Sequence, residues 1–364
     1  MLPDYIEIDP TRACNLRCRM CHVSFMEEKP IYLDLDKIRD YSFLKGKTIS
    51  LGIAFEPCIH PEINKLIDIL NKQDCKIIMT TNGHNLNKKE IPAIFDSNLE
   101  MITFSFDGIS ANTYNHIRRG GNFHKTVENI STFREKFSKH DTIFAITNTI
   151  MQYNLHEVVD SAKFWNDHNF DLIRLNTMVV REKDEFLLNN ELWSVRDQLF
   201  EQLEEAAEWV VRESPKISVA SPYYSTKNPR LKWADHYVDG AIKSKHKEAR
   251  IPKIYPRSFQ YGADFGMTFP CKSPFTGVRI HWDGTILLCC THVVGNLYNN
   301  SFEEIWNGKQ AESLRNKVLN SDELCTKCNY FRLCLNSHFV DVEDKASYFE
   351  HSVLANKDVI ARIG

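Results

Sequence analysis

Short runs of apolar and β-branched residues alternate along the chain with longer stretches in which apolar positions recur every three or four residues. YIEI (5–8), TISLGIA (48–54), KIIMTT (76–81), MITFSF (101–106), TIFAITNTIM (142–151) and DLIRLNTMVV (171–180) predict strands. LDLDKIRDYSFL (33–44), PEINKLIDILNKQ (61–73), NKKEIPAIFDS (87–97), FHKTVENISTFREKF (123–137), NLHEVVDSAKFWNDH (154–168) and NNELWSVRDQLFEQLEEAAEWVVRE (189–213) predict helices. Strand–helix units in series require a parallel sheet with right-handed crossovers. Six units are two short of a closed eight-fold barrel. The expected fold is therefore α/β, a partial (β/α)6 TIM barrel with an open side and its chemistry at the C-terminal strand ends. The pattern assigns 1–215 to this core, 216–269 to a linker and cleft segment, 270–345 to a small cysteine-rich domain and 346–364 to a tail.

Composition narrows the setting of that fold. The 364 residues are 43% hydrophobic and carry 45 basic against 48 acidic side chains, so a large core is available without a gross bias toward nucleic acid or membrane. No apolar run reaches ~18 residues, and MLPDYIEIDP (1–10) has acids where a signal peptide has lysines. A cytoplasmic, reducing compartment is expected, and there clustered cysteines hold metal or do redox chemistry rather than form disulfides. The eleven cysteines fall into three groups. Cys58 and Cys75 stand alone in apolar stretches and read as small buried hydrophobes. Cys14, Cys18 and Cys21 follow the first strand at once. Three thiolates at that spacing can wrap one cubane cluster and leave a fourth iron without a protein ligand. Arg12, Arg17 and Arg19 beside them are candidates to stabilise an anionic cluster or to form a solvated basic loop.

The C-x3-C-x2-C stretch inside a six-fold β/α repeat resembles the radical S-adenosylmethionine (radical SAM) superfamily. That resemblance implies a 4Fe-4S cluster whose open iron binds S-adenosylmethionine and, once reduced, yields methionine and a 5'-deoxyadenosyl radical that abstracts hydrogen. It implies further roles for matching stretches. AFEP (54–57) ends the second strand where the family has Gly-Gly-Glu-Pro, so Glu56 corresponds to the carboxylate that holds the cofactor's amino group. TTNG (80–83) ends the third strand and contributes Asn82; SFDG (105–108) contributes Ser105 and Asp107. YNHIRRG (114–120) offers Arg118 or Arg119 for the cofactor carboxylate, and Asn148 and Asn154 fall where fifth-strand polar groups line the pocket. Ala54 and Phe55 depart from the paired glycines, and Met20 stands where the family has an aromatic.

The C-terminal cysteines resemble the SPASM and shorter twitch extensions of that superfamily. GVRIHWDGTILLCC (277–290) reads as a hairpin with a two-residue turn at Asp283 and Gly284, presenting Cys289 beside Cys271. Cys271, Cys289, Cys325 and Cys328 are the expected ligands of one auxiliary 4Fe-4S cluster, with Cys334 as alternate. His338 is either a surface side chain or part of a second, weaker site, and Cys290 faces away. A zinc ribbon is the competing reading of the C-x2-C pairs.

An auxiliary cluster suits net oxidation or epimerisation of a small molecule, with a carbohydrate or aminocyclitol-like alcohol as first choice and a peptide as the alternative. A flavodoxin- or ferredoxin-type reductant is the implied partner. Arg174, Asn176 and His281 are the polar side chains placed at the cleft as candidate catalytic groups. The basic and aromatic stretch 221–269 reads as a solvated segment over the cleft, with contact to an anionic substrate or partner, RNA among them, as the alternative. A non-catalytic iron–sulfur or zinc scaffold is the reading of another class, and it predicts no cleavage of S-adenosylmethionine.

Overall fold

The computed structural model of the chain describes residues 2–27, 29–86, 91–137, 141–178, 184–213, 215–220, 273–288 and 292–320. Its strands are β1 (Tyr5–Ile8), β2 (Arg17–Cys18), β3 (Thr48–Leu51), β4 (Lys76–Thr81), β5 (Leu99–Ser105), β6 (Arg118–Arg119), β7 (Ile143–Ile150), β8 (Leu172–Thr177), β9 (Ser218–Ala220), β10 (Gly277–Ile280), β11 (Thr285–Leu288) and β12 (His292–Asn296). Ten of them form one sheet in the order β12-β11-β10-β1-β3-β4-β5-β7-β8-β9, and β2 pairs with β6 apart from it. Every neighbouring pair from β10 to β9 is parallel. This is the α/β partial barrel that the strand–helix alternation predicts, with its six predicted strands in sequence order.

The sheet also grows beyond those six units at both edges. β9 adds a parallel strand past residue 215. On the other side β10 pairs with β1, so the β10–β11 hairpin continues the barrel sheet. The hairpin turn differs from the two-residue expectation. His281 N still donates to Thr285 O, which leaves a three-residue loop in which Gly284 N donates to His281 O. Gly284 has φ +78°, the left-handed conformation that such a loop reserves for glycine.

The helices are α1 (Ile63–Lys72), α2 (Ala111–Ile117), α3 (Phe123–Lys136), α4 (Val158–Asp167), α5 (Glu185–Asn189) and α6 (Arg196–Glu213), followed by short helices at Ser273–Thr276, Phe302–Trp306 and Lys309–Leu319. Residues 33–44 are not the predicted helix but two 3-10 turns, Leu35–Lys37 and Ser42–Leu44. Asp34 Oδ1 accepts from Asp36 N and Asp40 Oδ1 from Ser42 N, local bonds that compete with a helix. The described part of 87–97 is likewise a 3-10 stretch, Pro92–Asp96. Among the described residues no helix is long and apolar enough to cross a membrane.

Strand alternation divides the sheet into two chemistries. Ile6, Ile8, Ile49, Leu51, Ile77, Met79, Ile102, Phe104, Phe144, Ile146, Ile173 and Leu175 face the helices in one apolar cluster. The alternate positions bring Glu7, Ser50, Thr80, Thr103, Ser105, Thr147, Thr149, Arg174 and Asn176 to the barrel interior, with the apolar Ile78, Met101, Ala145 and Leu172 on the same face nearer the strand starts. A closed eight-fold barrel usually fills that space with branched apolar side chains; here it is rich in hydroxyls.

At the base of this interior Arg279 on β10 donates to Glu7 Oε2 at 2.8 Å. Burial outweighs that ion pair and raises the Glu7 carboxyl to about 7. Between pH 4.5 and 7 the folded chain therefore holds a proton that the unfolded chain has released, and stability falls as pH rises through that window. Denaturation at pH 5, 6 and 7 should show Glu7→Gln with a flatter decline than the parent. An identical slope in both would exclude Glu7 as its source.

Candidate active site

The loop after β1 is held from three sides before any cofactor is considered. Asp9 Oδ1 accepts from Ile53 N and Ala54 N, and Glu56 N donates to Ala13 O, which ties the loop to the end of β3. Gly52 makes this path possible: its φ is +80°, and a Cβ there would run into the carbonyl oxygen of Thr80. Glycine is thus needed two positions before Ala54, not at the Ala54–Phe55 pair.

Cys14 and Cys21 are half-buried and Cys18 is buried. Burial raises the Cys14 thiol to about 11 and the Cys18 thiol to about 12; Cys14 also feels the charge of Cys21, and Cys18 that of both other thiols. The surrounding donors suit sulfur that carries negative charge. Leu16 N lies 3.4 Å and Asn82 Nδ2 3.7 Å from Cys14 Sγ, and Arg118 Nη1 lies 3.9 Å from Cys18 Sγ. Among the described residues no three His, Cys, Asp or Glu side chains close on one ion-sized point. Three thiols spread along a short loop suit the corners of a cubane instead, and N–H donors to thiolate sulfur are what such a cluster takes from its protein. The residues present fit the 4Fe-4S cluster that the motif implies.

The cation beside the thiols is not one of the three arginines expected. Arg17 Nη1 donates to the carbonyls of Cys14 and Leu16, Arg19 Nε to that of His116, and the Arg12 guanidinium lies 5.4 Å from the centre of the Trp282 ring. Arg118 takes the place, buried at 5% exposure and paired with Asp107 at 2.7 Å. Burial raises the Asp107 carboxyl, against the lowering effect of Arg118. Arg118 thus already has an internal carboxylate; its Nε has no hydrogen-bond partner among the described residues.

Glu56 is equally committed. Oε1 accepts from Cys58 N and from the Thr81 hydroxyl, and Oε2 from Asn82 N. Burial raises its carboxyl despite these donors. Asn82 bridges onward, donating to Asn15 Oδ1 at 2.8 Å and accepting from His84 N. Glu56, Asn82 and the cysteine loop form one unit. Ser105, half-buried at the end of β5, shows no side-chain hydrogen bond among the described residues and faces the same interior.

Asn148 does not. Its Nδ2 donates to Ser161 Oγ on α4 at 3.1 Å, so the side chain points into the helical layer. Asn154 is also structural, accepting from Met151 N and donating to Thr149 O. The residues of β7 that reach the interior are Thr147 and Thr149, one position to either side of Asn148; counting by twos from Phe144 puts Asn148 on the apolar, helix-facing side and leaves these two threonines on the other. Arg174 and Asn176 on β8 are in register with Thr147 and Thr149. His281 sits at the end of β10, with five strands between it and β8 in sheet order. Its ring stacks on Trp282, and burial lowers its pKa to about 4, so it is neutral near pH 7.

Two aromatic residues that sequence reasoning did not assign close the loop. Phe55 meets His22 edge-on at 5.6 Å and Trp282 at 5.0 Å, joining the cysteine loop to the hairpin tip. Phe55→Ala should lower unfolding stability by about 3 kcal/mol and speed iron loss from the loaded protein. Unchanged denaturation and iron retention would show that these rings contribute nothing. Cys271, Cys289, Cys290, Cys325, Cys328, Cys334 and His338 lie outside the described residues.

Residues 8–164 match the family model of the radical SAM superfamily, and residues 271–329 match that of an iron–sulfur cluster-binding domain, SPASM. The second span takes in Cys271, Cys289, Cys325 and Cys328 and stops short of Cys334 and His338. GTP 3',8-cyclase of Alkaliphilus metalliredigens is 29% identical over 52% of this chain and 63% of its own. The chain spans between about a third and two thirds of the length of the curated relatives it matches. Among solved structures, SuiB of Streptococcus suis bound to its precursor peptide SuiA superposes with a TM-score of 0.56 at 14% identity, over 95% of this chain and 74% of that one. AnSMEcpe with bound AdoMet and Cp18Cys peptide gives 0.59 at 16% identity, over 99% of both.

Proposed function

Since the chain belongs to the radical SAM superfamily and carries a SPASM-type domain behind its barrel, we propose that it abstracts a hydrogen atom from a polar substrate held in the hydroxyl-lined interior. The observation that carries this reading is the Cys14–Cys18–Cys21 loop at the C-terminal end of β1, with the Asn82 amide and the Arg118 guanidinium directed at its sulfurs. A 4Fe-4S cluster and S-adenosylmethionine bound there supply one-electron sulfonium cleavage and hydrogen-atom abstraction. The three thiolates would hold the cluster. Glu56 and Asn82 fix the loop that carries them, and the Ser105 hydroxyl and the Nε of Arg118, neither hydrogen-bonded among the described residues, remain available to the bound cofactor. Phe55 and Trp282 shield one side of the loop from water.

Thr147, Thr149, Arg174 and Asn176 offer donors and acceptors to a substrate. A small hydroxyl-bearing molecule, oxidised or epimerised with the help of one auxiliary cluster on Cys271, Cys289, Cys325 and Cys328, is the first reading. Burial keeps His281 neutral near pH 7 but also makes it a weak base, so this reading gives it no proton transfer. Peptide modification is the second, favoured by the peptide complexes of SuiB and anSMEcpe, which share the fold. Anaerobic reconstitution, reduction and assay for 5'-deoxyadenosine test both. The reading expects its formation, with deuterium transferred from the substrate that stimulates it. Intact S-adenosylmethionine in reduced, cluster-loaded protein would overturn it.

A further inference from the structure

We propose that the outer face of the β2–β6 ribbon is the docking surface for a small acidic one-electron carrier protein, which rests on the reading above that the ribbon carries a cluster ligand. In the ribbon Arg17 pairs with Arg119 and Cys18 with Arg118. Alternation sends the two members of each pair to one face. Cys18 and Arg118 are buried on the inner side, and Arg17 and Arg119 are exposed on the outer. The outer arginines are anchored to the ligand loop itself: Arg17 donates to the carbonyls of Cys14 and Leu16, and Arg119 Nε donates to Arg17 O. Lys125, exposed in the first turn of α3, adds a third positive charge six residues after Arg119, and Asn122 caps that turn by accepting from Lys125 N.

None of these three cations pairs with a carboxylate among the described residues. The whole chain has a net charge of −3, so the patch is not part of a generally basic surface. Unpaired positive charge grouped on one face attracts an acidic partner and raises its rate of encounter. The position decides what that partner does. A carrier seated there rests on the backbone of the ribbon that holds Cys18 and on the arginine that donates to the Cys14 carbonyl. One electron leaves the reduced carrier and one enters the cluster; no bond forms or breaks at the ribbon.

The test uses the full reconstituted chain and a flavodoxin as probe. Affinity for the oxidised flavodoxin is measured against salt, and cluster reduction by its hydroquinone is followed by stopped-flow absorbance, with dithionite as a small reductant that needs no docking. The parent should bind and be reduced more slowly as salt rises. Arg119→Glu combined with Lys125→Glu should lower both affinity and reduction rate about tenfold or more at low salt, while dithionite reduces it as fully as the parent. Lys125→Glu alone, which removes no bond to the ligand loop, is the second variant, decisive on the same readouts if the first loses iron. Parent-like affinity and rate in these variants, or no salt dependence in the parent, overturns the docking surface. So does a polyanion such as tRNA binding the patch while flavodoxin does not. Failure of dithionite itself to reduce the cluster would instead strike the reading of the site, and the binding of oxidised flavodoxin would still decide the surface.

Discussion

Cys18→Ala is expected to reduce iron by about four atoms per chain and to bring 5'-deoxyadenosine formation to background. Of the three proposed ligands Cys18 has the least solvent around it, set on β2 between Cys14 and Cys21 and backed by Arg118. Burial holds its free thiol up to about 12, so it is ionised only when a metal takes the charge. Alanine at this position leaves two thiols, too few to hold a cubane with one open iron. The side chain adds little to the apolar core, so far-ultraviolet circular dichroism should match that of the parent. If an auxiliary cluster is present, its iron stays, and about four atoms remain out of eight. A Cys18→Ala protein that keeps all its iron and still cleaves S-adenosylmethionine would remove this loop from the site.

The second large effect concerns stability. Arg118→Ala should cost about 3–5 kcal/mol, because it leaves the Asp107 carboxylate buried without its partner. Both side chains are sequestered, Arg118 at 5% and Asp107 at 0% exposure, so solvent screening does not soften the loss. Asp107 Oδ1 would still accept from Thr149 N, which satisfies one oxygen and not the charge. Adding Asp107→Ala should recover part of the loss, and the double-mutant cycle reads the coupling directly. Chemical denaturation checks it; single and double variants with simply additive losses would show that the pair is not coupled. Lysine is a poor substitute for Arg118, since it keeps the charge but not the fork that reaches Asp107 and the Cys18 sulfur together.

The contrast between Asn148 and its neighbours shows what could be read from the chain and what could not. Strand β7 is legible in its β-branched run, yet the polar residue assigned to the pocket lies on the wrong face by one position. In a strand one step exchanges interior for exterior. The helix predicted at 33–44 failed for another local reason, side-chain bonds from Asp34 and Asp40 to the backbone. The three-thiol loop was legible because its ligands are close together in sequence and follow a strand directly.

The sequence by itself determined the order of strands and helices and the place of the cysteine loop, since periodicity and spacing are local properties carried by neighbouring residues. Only the tertiary structure decided which arginine faces the sulfur, how Phe55 meets Trp282, and that Arg279 of the hairpin pairs with Glu7 of the first strand. Those contacts join segments far apart in the chain. They exist only once the sheet has curved and brought β10 beside β1, and no local pattern encodes that closure.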